Sequence, residues 1–233
     1  MAKTKEQLLE ILSNFDLKEN VVSAEPFGNG HINDTLKVTT ANGEIKYVLQ
    51  RVNHLIFTNV DMLQNNIHVV TSHIREKLEA KGETDIDRKV LTFLPTKEGK
   101  NYYFDGDSYW RVCLFIPRSK SYEEVTPELS YEAGKAFGDF QTMLSDIPEG
   151  TLGETIPNFH NMEFRLQQFH DAVKDNAAGR LEEVKDLVEE IEKRAEAMCI
   201  QERLYREGKF KKRTNHCDTK VNNILFDADS DRV

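Results

Sequence analysis

His216-Cys217-Asp218-Thr219-Lys220-Val221-Asn222-Asn223, followed by the apolar run Ile224-Leu225-Phe226, is the stretch on which the reading of this chain turns. Its skeleton is His-x-Asp-x-x-x-x-Asn. A carboxylate on a polar loop can orient a hydroxyl and take its proton, and a carboxamide oxygen one short loop away is a hard ligand suited to magnesium. Phosphoryl transfer asks little more of a protein, because it depends on positioning and electrostatics rather than on covalent help. Asp218 is therefore the candidate base and Asn223 the candidate metal ligand. His216 is expected to brace the loop rather than react.

Upstream of this loop the sequence divides into a strand-rich part and a helical part. Leu8, Leu9, Ile11 and Leu12 recur at helical spacing within residues 4–15. Strand-like runs follow over 21–27, 35–40 and 46–51, the first pair separated by Gly28-Asn29-Gly30 and the second by the turn Ala41-Asn42-Gly43. Asn59 can cap a long helix over 60–80. Further strands are expected at 89–94, 100–104 and 109–116, with Asp105-Gly106 turning between the last two. Pro117 and a polar stretch then act as a hinge into helices at 127–144, 162–176 and 179–207, the last laced with alternating charges. A short strand is expected at 223–226. Three strands, a long helix, more strands, a polar hinge and a helical second half are the layout of a bilobal kinase, and the loop has kinase catalytic-loop spacing. The expected fold class is thus α+β and protein-kinase-like. Residues 1–118 would form a nucleotide-binding lobe, and 119–233 a helical lobe carrying the catalytic loop.

Other residues find places in that scheme. Gly28, Asn29 and Gly30 between two strands would let backbone N–H groups approach nucleotide phosphates, although Asn33 stands where a third glycine is usual. The polar set His31, Asn33, Asp34 and Thr35 could face either substrate or nucleotide. The phosphate-binding cation of a third kinase strand would be Arg51, or alternatively Lys46. Its acidic partner on the long helix would be Glu76, Glu79 or Asp61. His160, in Pro157-Asn158-Phe159-His160-Asn161, is a candidate substrate contact. Asp227, Asp229 and Asp231 read as a polar turn rather than as metal ligands, with Arg232-Val233 starting a return strand.

The 233 residues are 39% hydrophobic and 30% charged, with a net charge of −9. That balance argues against nucleic-acid or anionic-membrane partners, and no apolar run is long enough to cross a bilayer. Cys113, Cys199 and Cys217 form no zinc spacing, and with the lack of a signal-peptide apolar region they suggest reduced thiols in the cytoplasm.

Taken together, several segments resemble the aminoglycoside phosphotransferase and choline kinase superfamily, and within it the N-acetylhexosamine 1-kinase group. They are residues 27–35, Tyr47-Val48-Leu49-Gln50-Arg51-Val52-Asn53, Trp110-Arg111, residues 134–141, Ile156-Pro157-Asn158-Phe159-His160 and residues 216–226. The resemblance implies magnesium-dependent transfer of the γ-phosphoryl of ATP to the anomeric hydroxyl of an amino sugar. Asp218 would be the base, Asn223 a metal ligand, and His31 would lie near the sugar. Two departures stand out. Cys217 occupies a position where Gly or Asn is more usual, and the Ile-Asp-x-Asp segment expected downstream is absent, which reads as a C-terminally truncated form. Two alternatives stay open: a non-catalytic kinase-like fragment, and a kinase for another small acceptor such as an aminoglycoside or amino alcohol.

Overall fold

A computed structural model describes residues 3–28 and 32–233. The chain forms two compact units, residues 1–155 with 214–233, and residues 156–213. The lobe division expected near residue 118 is drawn by role and falls inside the first of these.

In the first unit, α1 (Lys5–Leu12) starts at a capping box. The Thr4 N–H donates to Gln7 Oε1 at 2.9 Å, and the Gln7 N–H donates to Thr4 Oγ1 at 3.4 Å. Leu8, Ile11 and Leu12 recur on one face and are buried. They pack on an antiparallel sheet of β1 (Val21–Pro26), β2 (Asp34–Thr40), β3 (Ile45–Val52), β4 (Phe93–Leu94), β5 (Tyr103–Phe104) and β6 (Tyr109–Leu114). The strand order is β1-β2-β3-β6-β4, with β5 also pairing with β6. Period-two alternation sorts the side chains. Leu36, Val38, Tyr47, Leu49, Trp110 and Val112 face α1 and form its core. On the same alternation, Thr35, Gln50 and Arg111 stand in a row on the opposite face, since Thr35 pairs with Gln50 and Gln50 with Arg111.

A second core joins α2 (Val60–Ala80), α3 (Ile86–Lys89) and α4 (Pro127–Met143). Asn59 caps α2, its Oδ1 accepting from the Met62 N–H at 2.9 Å. Ile74 and Leu78 of α2 then bury against Val90 and Leu144. Arg75 of α2 donates to Asp87 Oδ1 at 2.7 Å and to Thr92 Oγ1 at 2.5 Å. That clamp lies over the segment where a strand from residue 89 was expected. The chain instead makes the short helix α3 after Asp85, whose φ is +55°, and pairs only at Phe93–Leu94. The polar hinge also differs from expectation. Ser119–Lys120 form β7, which pairs antiparallel with β8 (Phe226–Asp227). The expected strand at 223–226 is a 3-10 turn over Val221–Asn223 followed by β8.

The second unit is helical: α5 (Met162–Asp175), a 3-10 turn at Leu181–Val184, α6 (Lys185–Met198) and α7 (Ile200–Arg206). Asn161 caps α5 through the Phe164 N–H at 2.9 Å. The helix expected over 179–207 is therefore broken at Cys199, which ends one segment and begins the next. Arg206 grips Glu163 with two nitrogens, at 2.5 and 2.8 Å, joining α7 to α5. His170 on α5 meets Glu192 on α6 at 2.9 Å.

Candidate active site

The loop bearing His216, Asp218 and Asn223 is held at both ends by α4. Thr126 caps that helix by accepting from the Leu129 N–H at 3.3 Å, and Pro127 opens it. Beyond the loop, Ile224 and Phe226 bury against Leu129 and Ala133, with Val221, Ala136 and Phe137 packed around them. Before it, the His216 ring stands edge-on to Phe137 and Phe140, with centroids 5.6 and 5.8 Å away. The His216 ring is thus held against two aromatic side chains of α4.

Between these anchors the polar residues close on one another. The Asn223 amide nitrogen donates to the Asp218 carbonyl oxygen at 2.9 Å and to Asp218 Oδ2 at 2.8 Å. Lys220 Nζ lies 3.3 Å from the same Oδ2. The Asn223 hydrogen bond, helped by Lys220, holds the Asp218 carboxyl below the usual carboxylate range against the opposing effect of burial. Asp218 therefore stays ionised well into the acid range while remaining largely exposed, which suits a base that must meet an incoming hydroxyl. Lys220 was not singled out from sequence. Its signal was there, two residues beyond the base, but lysine next to aspartate on a loop is too common to stand out.

Cys217 takes φ +63°, the left-handed region that glycine and asparagine enter most easily. This accounts for the residue types usual at that position. Its thiol approaches Asn215 Oδ1 at 2.7 Å. Burial, then the charge of Glu154, pushes its pKa up, so it is a poor nucleophile.

Gly28 has φ +80° at the end of β1, where Phe27 N–H donates to the Thr35 carbonyl at 2.8 Å and closes the hairpin. Asn29, Gly30 and His31 lie outside the described residues. Asn33, Asp34 and Thr35 are each engaged within the sheet. Asn33 Oδ1 accepts from the Asn53 N–H at 2.9 Å, Asp34 pairs with Arg51, and Thr35 Oγ1 accepts from Gln50 Nε2 at 3.0 Å.

Arg51 meets Asp34 Oδ2 through Nε and Nη2, both at 2.6 Å. The β2–β3 register puts these residues opposite each other, so the arginine's acid comes from the neighbouring strand and not from the long helix. Asp61 instead accepts the Tyr102 hydroxyl at 2.7 Å. Lys46, at the other end of β3, pairs with Glu44 at 2.8 Å. His160 belongs to the second unit, edge-on to Phe159 at 4.8 Å. The acidic turn after β8 is neutralised in place: Asp227 by Arg88 at 3.0 Å, Asp231 by Lys120 at 2.6 Å, and Asp229 by Arg118. Asp227 N–H also donates to the Arg232 carbonyl at 2.8 Å, the expected turn back.

The donor set suits magnesium held mainly by a nucleotide. Among the described residues no group of three or more His, Cys, Asp or Glu side chains could hold a metal unaided. Asn223 spends its amide nitrogen on Asp218, which leaves its oxygen as the end that could take a cation. One or two protein oxygens plus phosphates and water are the usual magnesium shell.

An antiparallel sheet with a long helix inserted after its third strand, and a His-x-Asp loop braced on a helix, define a phosphotransferase of kinase-like α+β fold. Residues 23–233 match the model of the phosphotransferase enzyme family, and the chain belongs to that family. Among solved structures it is similar to a spectinomycin phosphotransferase in complex with ADP and spectinomycin, at 12% identity and a TM-score of 0.61, over 99% of this chain and 68% of that one. Among the described residues no helix is long and apolar enough to cross a membrane.

Proposed function

We propose that this chain carries the catalytic loop of an ATP-dependent small-molecule kinase whose acceptor is the anomeric hydroxyl of an N-acetylhexosamine. The observation that supports it most is the Asp218–Asn223 hydrogen-bonded pair, locked onto α4, in a member of the phosphotransferase family. The structural neighbour's ADP supports ATP as donor. The N-acetylhexosamine assignment rests on the sequence segments given above.

In this reading residues 1–118 hold the nucleotide and 119–233 carry the loop. Asp218 accepts the proton of the acceptor hydroxyl as its oxygen bonds to the γ-phosphorus and the bond to the ADP oxygen breaks. Asn223, and behind it Lys220, keep Asp218 ionised, His216 would brace the loop against α4, and Asn223 would hold magnesium through its amide oxygen. Bound magnesium would neutralise charge on the phosphates. Gly28, Asn29 and Gly30 would cover the nucleotide, and His31 and His160 would meet the sugar. We also assign this reaction to the cytoplasm, as the sparse, odd number of cysteines suggests.

The test is phosphate transfer from γ-labelled ATP with magnesium, using N-acetylglucosamine, N-acetylgalactosamine, spectinomycin and choline as acceptors, for the wild type and Asp218→Asn. Label on an N-acetylhexosamine C1 oxygen, lost in Asp218→Asn, is the expected result. Label only on spectinomycin or choline would overturn the sugar and keep the chemistry. ATP binding without transfer to any acceptor would instead favour a binding module.

A further inference from the structure

Building on the phosphotransferase reading, we propose that Arg111 of β6, and not a cation of β3, is the side chain that meets the nucleotide's phosphates. Three observations converge on it. The first is position. Phe27 and Thr35, hydrogen-bonded to each other, flank the glycine segment in sequence, Thr35 stands opposite Gln50, and Gln50 stands opposite Arg111. Arg111 is thus at the glycine-turn end of the sheet, on the face that α1 does not cover. Strand alternation places Arg51 on the α1 face, and it is already paired with Asp34.

The second observation is orientation. Arg111 Nε donates to Gln50 Oε1 at 3.0 Å, and the Gln50 amide in turn donates to Thr35 Oγ1 at 3.0 Å. The guanidinium carbon sits 5.3 Å from the centre of the Phe93 ring. A three-residue ladder and an aromatic ring therefore fix the fork while using one of its N–H groups.

The third observation is what the fork lacks. Nη1 is buried and has no hydrogen-bond partner among the described residues. No carboxylate among them makes an ion pair with Arg111, whereas Arg51, Arg75 and Arg88 each have one. A desolvated cation without a counter-ion is costly, and burial accordingly lowers its pKa from the ordinary arginine value. An arriving phosphate supplies what is missing, a negative charge and two oxygens spaced to accept from the guanidinium fork. The third-strand cation sought in the sequence is thus replaced by one from the adjacent strand, and the β3 residue beside it, Gln50, becomes its positioning residue.

Calorimetric titration with ATP, adenosine and tripolyphosphate, with thermal unfolding of the ligand-free proteins, tests this. Arg111→Met should weaken ATP and tripolyphosphate at least about 10-fold and leave adenosine within about twofold. Because it removes an unpaired buried charge, it should not lower the ligand-free Tm. Gln50→Leu should weaken ATP several-fold with adenosine unchanged, and it carries the test if Arg111→Met does not fold. Arg51→Met should leave ATP binding nearly unchanged. ATP binding that survives Arg111→Met, or Gln50→Leu where that is the test, or that falls with Arg51→Met, overturns the proposal. Arg111-dependent tripolyphosphate binding without ATP binding keeps Arg111 as a polyphosphate site and overturns the kinase reading. A wild type that binds neither overturns both.

Discussion

The side-chain amide of Asn223 donates twice to Asp218, to its carbonyl oxygen at 2.9 Å and to its carboxylate at 2.8 Å. The two residues proposed as base and metal ligand are thus one mechanical unit. The backbone bond fixes the width of the loop, and the side-chain bond fixes the rotamer and charge of the base. Replacing Asp218 by Asn keeps the size of the side chain and removes its basicity. Turnover should fall by about 10² to 10⁴-fold, with ATP affinity and Tm close to wild type. Parallel titrations of rate and ATP binding check this; a Tm drop with matching loss of binding would make Asp218 structural.

Asn223→Ala should raise the Asp218 pKa, because the hydrogen bond it removes is the largest influence holding that value down. The sign follows directly. A depressed folded pKa keeps the carboxylate charged as pH falls, so losing the donor moves its titration upward towards the ordinary value. Lys220→Met should act in the same direction with a smaller effect. Carboxyl carbon shifts across a pH series measure both, and an unmoved or lower midpoint in Asn223→Ala would refute the assignment.

His216→Ala should destabilise the protein by about 1 kcal/mol, from the loss of two edge-on aromatic contacts, and should lower turnover by loosening the loop. His216→Phe restores the packing and should recover most of both. Denaturant midpoints and rates for the pair separate bracing from proton transfer, since a histidine that titrates in the reaction is not rescued by phenylalanine.

Much of this was legible in the sequence, and the exceptions share a cause. The helix at Val60–Ala80 ends where its cap and periodicity say it should, because Asn59 and the Ile74/Leu78 face are local signals. The loop at residues 216–223 stood out because the chemistry proposed for it depends on spacing along the chain. The two-residue strands β4, β7 and β8 were harder: each is fixed by a partner far away in sequence, as Ser119–Lys120 is by Phe226–Asp227. The partner of Arg51 depended on register in the same way. The strand expected at 89–94 is shortened to Phe93–Leu94, with α3 running to Lys89 and Arg75, from another element, holding Asp87 and Thr92. Cys217 is the reverse case. Its unusual identity was plain in the sequence, and only the positive φ gave it a physical meaning.

That φ of +63° predicts the effect of Cys217→Gly. A side chain in the left-handed region costs about 1 kcal/mol that glycine avoids, so the variant should be more stable by up to that amount, with turnover preserved. The raised thiol pKa also predicts slow alkylation of Cys217 in the native protein at neutral pH. Chemical denaturation and timed iodoacetamide labelling test the two halves separately. Rapid labelling would mean that the thiol pKa is not raised.

Asp105 gives the sheet an acid-sensitive joint. Burial is the strongest influence on its carboxyl and pushes the pKa up, but Lys3, the Ser108 and Asp107 N–H groups and the Trp110 indole together outweigh it and bring the pKa down to about 2. Their contacts run from 2.7 to 3.0 Å, and they tie the start of the chain and the β5–β6 turn to a buried tryptophan of the main core. A carboxyl near 3.9 when unfolded and near 2 when folded stabilises the fold above about pH 4, and that contribution fades as pH falls towards 2. Screening near the surface reduces it to about 1 kcal/mol. Asp105→Asn should therefore lower the denaturation free energy by about that amount at neutral pH, with the gap to wild type closing between about pH 4 and pH 2. Urea unfolding at several pH values follows the gap. A difference that stays constant down to the acid limit would mean that the lost packing, and not the charge, is responsible.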